Sequence, residues 1–577
     1  MNLKNHIPIL DWLPNYQKAW FKGDFYAGIT IGVMLIPQGI AYAIIAGLPP
    51  IYGLYTAMIP QIVYAFLGTS RQLSIGPAAM DSLIVASGVS VLAAIGSEHF
   101  LVLAVLLAFM VGFFQILFGF FRLGFLVNFL SKPVISGFTS GSAIIIAINQ
   151  FGNLLGLETG RNNQFHILIM DVFNHIKNLH WQSFLLGGMS IIILLLLKKY
   201  FKKVPASLVV VILGILVVYS FNLNNHGVSI LGNIPKGLPS FKIPIFDQKL
   251  ISELSGLALT LALIGFMEAI SVAKSVETKH NEYKVKPNNE LIALGFSNII
   301  GSFFQTYPAT GGFARTAVND QSGAKTPLAS LIAALVVALC LLFLTPAFYY
   351  LPKTILAAII IVAAYGLLDF TMPKRLTYYN LRDLIILNAT LFITIFIGVK
   401  EGILTGVILS IVMLIYKSTK PHIAILGNVP DTHFYRNIKR FENLIINQEI
   451  LIVRFDAQLH FANTTYFKDK LQEFAKDRGQ KLKLLIIDGE SLNALDSSAI
   501  YALDETLDYF NDLNIAVAFT GLKGPVRDTL VKSTLMTKIK YDHCFMSIQD
   551  AVDCFEKMCL HLPKRYSYQE YTKQSNR

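Results

Sequence analysis

From residue 24 to residue 417 the chain is one apolar run after another, separated by short polar punctuation. Beyond residue 420 charged residues recur every few positions. Runs of about 20 apolar residues are long enough, as helices, to cross the hydrocarbon core of a bilayer. The pattern predicts such helices over 24–46, 50–68, 99–121, 125–150, 180–199, 204–222, 251–274, 286–304, 326–347, 352–370, 379–398 and 401–417. Two further segments are too interrupted to be ordinary spans: RQLSIGPAAMDSLIVASGV (71–89) after the second helix, and YPATGGFARTAVND (307–320) after the ninth. Counting both gives fourteen spans that divide seven plus seven, with a broken segment third in each half. An odd number per half turns the second repeat upside down relative to the first.

The lysine- and arginine-rich loops KKYFKK (198–203), KSVETKHNEYKVK (274–286) and PKRLTYYNLR (373–382) all fall on one side of this arrangement. By the positive-inside rule that side, with both termini, is cytosolic. The expected organisation is a cytosolic segment 1–23, a first membrane repeat 24–222, an extracellular or periplasmic loop 223–250, a second repeat 251–418, a linker 419–440, a cytosolic domain 441–560 and a tail 561–577. In that cytosolic domain EILIVRFD, LKLLIIDGE and IAVAFTGL alternate with TTYFKDKLQEFAK, SSAIYALDETLDYFND and GPVRDTLVKS. Alternation of short β-rich and helical segments predicts a small α/β fold with a mostly parallel sheet.

Composition agrees with a membrane protein: 54% of the 577 residues are hydrophobic and 15% charged, and the mean hydropathy is +0.54, far from a soluble average. The opening MNLKNHIPILDWLPNYQKAW lacks the charged start and apolar core of a secretory signal, so the N-terminus is expected to lie on the cytosolic membrane surface. The net charge of +12 resides in short loops, where it sets topology rather than forming a nucleic-acid stripe. Cys340, Cys544, Cys554 and Cys559 have no metal-ligand spacing, and they read as reduced thiols. There is no phosphate-cradling GxxxxGK[ST] run and no zinc signature, so neither an enzyme nor a pump is expected, and no cofactor or metal.

Interrupted helices at matching places in inverted halves point to a transporter's binding site. A half-helix that begins inside the membrane aims unpaired N–H groups and the positive end of its dipole at whatever lies before it, so two such starts form an anion site. In the first half Pro77 suits the first helical turn and Ser74 offers a hydroxyl. In the second, Gly311 and Gly312 let the backbone approach a ligand, Thr310 is a candidate cap and Arg315 adds a full charge. An arginine at membrane depth costs at least ~2.5 kcal/mol and needs a partner or water. Glu268, in IGFMEAISVAK, is the nearest candidate by topology, as counter-ion, proton carrier or cation ligand. Gln38, beside Pro37, holds the comparable place in the first half. Asp81 lies one turn beyond Pro77, either near the site or packed against another span.

At this point the motifs carry a resemblance. IPQGIAYAIIAGLPPIYGLYTAMIPQIVYAFLGTSRQLSIGPAA and ELIALGFSNIIGSFFQTYPATGGFARTAVNDQSG resemble two signatures of the sulfate permease (SulP) family of anion transporters. The tail, at LHFANTTYFKDKL and LLIIDGESLNALDSSAI, resembles a STAS domain. The resemblance implies two inverted seven-helix repeats arranged as core and gate domains, an anion held between the third and tenth helices, and a homodimer with an elevator-like motion. It implies a substrate site at Gln38, Tyr42, Ala78, Ala79, Gly312, Phe313, Ala314 and Arg315. Many members carry serine where this chain has Ala314, which removes a hydroxyl donor. Glu268 matches the carboxylate of members resembling proton-coupled sulfate permeases, which implies sulfate uptake by proton symport in an inner (plasma) membrane. Bicarbonate, chloride or a dicarboxylate on the same fold is the alternative cargo, and a membrane-anchored STAS scaffold with a cytosolic partner the alternative role. Related anti-sigma antagonists are phosphorylated on a serine at a helix start, which makes Ser497 and Ser498 candidate regulatory sites. Serine is also simply a good residue for a helix start.

Overall fold

With no water in a bilayer to satisfy backbone groups, an apolar run must close its own hydrogen bonds. The computed structural model describes residues 8–125, 131–157, 165–201, 205–280, 282–533, 535–539 and 541–557, in two compact units, Met1–Ser410 and Ile411–Arg577. In the first half of the chain the helices that stand at the expected spans and breaks are α1 (Lys18–Ile45), α2 (Pro50–Leu67), α3 (Ala79–Val89), α4 (Glu98–Phe120), α5 (Lys132–Asn149), α6 (Trp181–Tyr200) and α7 (Ala206–Ser220). In the second they are α8 (Gln248–His280), α9 (Pro287–Phe303), α10 (Phe313–Gln321), α11 (Leu328–Leu339), α12 (Lys353–Tyr365), α13 (Leu381–Phe396) and α14 (Val399–Thr419).

Every segment expected as a continuous helix carries one, and both expected breaks are breaks. Among the described residues eight helices are long and apolar enough by length and composition to cross a membrane. Chemistry at the ends explains several boundaries. Pro50 and Pro287 open α2 and α9 where a missing N–H costs nothing. Ser97 caps α4 by accepting from Phe100 N–H at 3.1 Å, and Asn380 caps α13 by accepting from Asp383 N–H at 3.3 Å. The eleventh segment does not stay α-helical: past Leu339 it widens into a π turn over Cys340–Leu344 and tightens into a 3₁₀ turn over Thr345–Phe348, where Pro346 has no N–H to continue the ladder.

Packing follows the two-repeat plan. Helices α1 to α4 pack with α8 to α11 as one group, while α5, α6 and α7 pack with α12 and α13 as another. Contacts recur in pairs between the halves. The α1–α11 pair matches α8–α4, α2–α11 matches α9–α4, and α5–α13 matches α12–α6. Close backbone approach is the means at several of these seams. A Cβ on Gly32 would meet Val336 Cβ at 2.5 Å on α11, and one on Gly112 would meet Gly295 O at 2.5 Å on α9.

The second unit builds a six-stranded sheet in the order β4-β3-β5-β6-β7-β8. Its strands are β3 (Ile423–Asn428), β4 (Tyr435–Asn437), β5 (Ile450–Phe455), β6 (Leu484–Asp488), β7 (Ala516–Thr520) and β8 (Cys544–Phe545). The run from β5 to β8 is parallel and β3 is antiparallel to both neighbours. The strand period of two sends alternate residues to opposite faces. Leu451, Val453, Phe455, Leu485 and Ile487 join Phe467, Leu503 and Phe510 in one core, and Ile450, Ile452, Leu484 and Ile486 join Ala551 and Val552 in the other. The stretch 419–440, expected as a linker, contributes β3 and β4 to this sheet. Pairing with β5 lets so short a run hold an extended form.

Candidate functional site

The two broken segments pair with each other. Ile75–Gly76 (β1) runs antiparallel to Thr310–Gly311 (β2), with Ile75 opposite Gly311 and Gly76 opposite Thr310. Gly312 N–H extends this ladder to Ser74 O at 3.1 Å. Equivalent segments of the two repeats thus satisfy each other's backbone where no water is available.

Straight after the ladder each chain turns into a half-helix. The residues that cap α3 and α10 are Ala78 and Gly312, both extended and neither using a side chain to cap. The first bonds inside the helices are Ser82 N–H to Ala78 O and Thr316 N–H to Gly312 O, both at 3.0 Å. The N–H groups of Ala79, Met80 and Asp81, and of Phe313, Ala314 and Arg315, therefore have no acceptor within their helices. Two expectations shift. Pro77 precedes the helix rather than opening it, and Thr310 is not a cap but donates its hydroxyl to Gly265 O on α8 at 2.6 Å. Both changes follow from the ladder, which holds these residues extended.

Arg315 ties the two starts together. Its side chain is 2% exposed, and from the first turn of α10 it donates Nη1–H to Pro77 O at 2.7 Å, just before α3. A weaker bond runs from Nη2–H to Thr310 O at 3.5 Å, and Nε has no partner among the described residues. Glu268 therefore does not serve as its contact ion pair. The glycines make room for the protein itself. A Cβ on Gly312 would meet Arg315 Cζ at 2.6 Å, and one on Gly311 would meet Leu73 Cδ1 at 2.8 Å and Ala269 Cα, on α8, at 3.0 Å.

Around this guanidinium the structure gathers residues from four helices. Tyr42 on α1 is in electrostatic reach of Arg315 and Glu268, and Gln38 lies one turn before Tyr42. Asp81 on α3 is in reach of Glu268 and Arg315, and its Oδ2 would lie 3.6 Å from a Cβ on Gly265, one turn before Glu268 on α8. Gln38 Oε1, Asp81 Oδ1 and Glu268 Oε2 are buried atoms without a hydrogen-bond partner among the described residues. Phe313 and Ala314 are exposed, so the first two residues of α10 border open space. Buried polar atoms are ordinarily paired, so several unpaired ones around one positive charge make this the candidate site.

A framework that sequence reasoning missed holds the broken segments. Asn298 on α9 accepts from Ala309 N–H at 2.8 Å and donates to Ala309 O at 3.1 Å. In the other half Gln61 on α2 accepts from Ser74 Oγ–H at 3.3 Å and donates to Ser330 O at 3.0 Å. Glu290 on α9 accepts from Thr69 N–H at 2.6 Å, Ser70 N–H at 3.2 Å and Tyr64 Oη–H at 2.6 Å. Asp24 on α1 accepts from Lys325 N–H at 2.7 Å and Thr326 N–H at 3.0 Å. The available signal is a lone polar residue inside an apolar helix, as in PNNELIALGFSN.

In the second unit Asp496 caps the helix Ser497–Asp512 (α15), accepting from Ala499 N–H and Phe461 N–H, each at 2.8 Å. Ser497 opens that helix and is exposed, while Ser498 is half-buried.

Two repeats whose helix contacts recur in pairs, a ladder joining their broken segments, two free helix starts and one buried arginine fit an integral membrane transporter of anions rather than an enzyme. The chain belongs to the sulfate permease family, whose model matches residues 21–390, and it carries a STAS domain over 443–551. Among curated relatives it is 38% identical to sulfate transporter 4.1, chloroplastic, of Arabidopsis thaliana, over 94% of this chain and 82% of that one. It is 37% identical to the probable sulfate transporter 4.2 of the same plant, over 97% and 84%. Among solved structures it resembles the murine anion transporter Slc26a9 in the inward-facing state, with a TM-score of 0.89, 25% identity and coverage of 96% of this chain and 94% of that one.

Proposed function

We propose that this protein takes up sulfate by proton symport. The observation that carries the reading is Arg315, held by Pro77 O between two half-helix starts whose N–H groups lack intrahelical acceptors. A tetrahedral dianion fits that donor set, since it accepts from several N–H groups at once and from a guanidinium in bidentate fashion. Sulfate is favoured over other anions by the relatives, which are named as sulfate transporters. Ala314 contributes its backbone N–H and no hydroxyl. Glu268 is the coupling group: its buried carboxyl takes a proton from outside, offsets part of the charge of the anion and releases the proton to the cytosol.

In this reading the group α1–α4 with α8–α11 carries the site past the group α5–α7 with α12 and α13, an elevator motion within each protomer of a homodimer. The protein lies in the inner (plasma) membrane with both termini cytosolic, and the STAS domain serves dimer contact and regulation, with Ser497 or Ser498 as the phosphorylated residue. Tracer uptake into liposomes, with a panel of anions under proton or sodium gradients, tests the whole. Sulfate flux should follow an inward proton gradient, and Glu268→Gln should weaken its dependence on pH. Uptake that kept the full wild-type dependence in the variant would refute the coupling role.

A further inference from the structure

Asp81 sits where an anion transporter has least use for a carboxylate. It is 2% exposed, it lies in the first turn of α3, and its Oδ1 has no hydrogen-bond partner among the described residues. An ionised carboxylate in the first turn of a helix is itself an anion at the positive end of the dipole. There it competes with cargo for the same N–H groups.

The surroundings offer two titratable neighbours of opposite consequence. From α8 comes Glu268, whose Oε2 is likewise unpartnered among the described residues, one turn from Gly265, where an added Cβ would lie 3.6 Å from Asp81 Oδ2. From α10 comes Arg315, which supplies a positive charge. Tyr307 presents its hydroxyl to Ser82 Oγ, on α3, at 3.2 Å, and Tyr42 faces the same group from α1. Helices α4 and α5 also pack against α3, but their charged residues, Glu98, His99 and Lys132, stand in their first turns.

The charges then add simply. With Asp81 and Glu268 both ionised, Arg315 leaves the site at minus one, which repels a dianion. With both protonated the site stands at plus one, and both helix starts are free for cargo. Resting on the proton-symport reading above, we propose that Asp81 is a second proton carrier, so that each sulfate enters with two protons, one on Asp81 and one on Glu268. Two protons and one dianion move no net charge. Each proton is taken from the outer solution by a carboxylate and returned to the inner solution when the emptied site faces inward, so charge and protons balance over the cycle.

The test is the sulfate gradient that a fixed pH gradient sustains in proteoliposomes of the full chain, with the membrane potential held at zero by potassium and valinomycin. One pH unit sustains about a hundredfold gradient at two protons per sulfate and about tenfold at one. The wild-type protein should give the hundredfold value. Asp81→Asn should give tenfold, and its slower inward flux should become opposed by an inside-negative potential that does not affect the wild type.

A wild-type gradient at one proton per sulfate overturns the inference and leaves proton symport standing. Wild-type flux that follows no pH gradient defeats the symport reading and this inference together. Should Asp81→Asn fail to fold, proton uptake on sulfate binding to the wild-type protein, measured by calorimetry in buffers of different ionisation enthalpy, decides the matter. Two protons per sulfate support the proposal, and one or none overturns it.

Discussion

Gly312 shows how one missing side chain sets a charge in place. The guanidinium of Arg315 folds back over the start of its own helix into the space a Cβ on residue 312 would occupy. Gly312→Ala should therefore displace the guanidinium from Pro77 O and reduce sulfate uptake by about a hundredfold, as misplacement of a binding group by a fraction of an ångström to an ångström does. Surface expression and the thermal midpoint should change far less. The measurement is tracer uptake beside thermal unfolding of the solubilised protein, and near-normal uptake would show that Arg315 needs no such room. The identity of this arginine was legible in the sequence, because a fixed charge between two apolar runs demands an explanation. Its partner was not, because Pro77 lies 238 positions away and backbone carbonyls look alike in every sequence.

At the scale of elements, the breaks were legible and the starts of the half-helices were not. Glycine and proline in SIGPAAM and YPATGGFA punctuate apolar runs visibly. The residue at which α3 or α10 begins depends on a ladder bond from the other repeat, which moved both starts past Pro77 and Thr310. The same limit hid the braces. Glu290 takes two backbone N–H groups and two hydroxyls from the loop and helix before the first break. Glu290→Gln turns one accepting oxygen into an NH₂ facing donors, which should lower stability by ~1–3 kcal/mol. A lower thermal midpoint of the solubilised protein, together with faster amide exchange over residues 68–72, is the expected outcome. Strands β3 and β4 escaped sequence reading for a related reason. HIAILGN is too short to declare itself until β5 is there to pair with it.

At the scale of the whole molecule, each unit carries its own core, and the second can be tested through its charges. Burial alone would raise the carboxyl of Asp456, but hydrogen bonds from Arg454 at 2.6 Å and His422 at 2.7 Å outweigh it and hold the group below the ordinary carboxylate range. A depressed carboxyl stabilises the folded form above its unfolded pKa of roughly 3.9, and the contribution is lost as pH falls through the lower folded value. Asp456→Asn should thus weaken amide protection in β3 and β5 at pH 7. The difference from wild type should shrink below about pH 4. Hydrogen exchange on the full-length protein checks this, and a difference that persisted in acid would remove Asp456 as the cause. Domain order and the α/β character of this unit were legible from composition and period. Its antiparallel edge was not, since edge strands are chosen by their neighbours.

The ladder between β1 and β2 has a wider meaning. Its few backbone bonds lie where water cannot replace them, so pulling the start of α3 away from the start of α10 would strand donors and acceptors in an apolar medium. The two repeats are thus stitched together by backbone bonds beside the starts of their half-helices. In the elevator motion proposed above, the two half-helix starts would travel as one body.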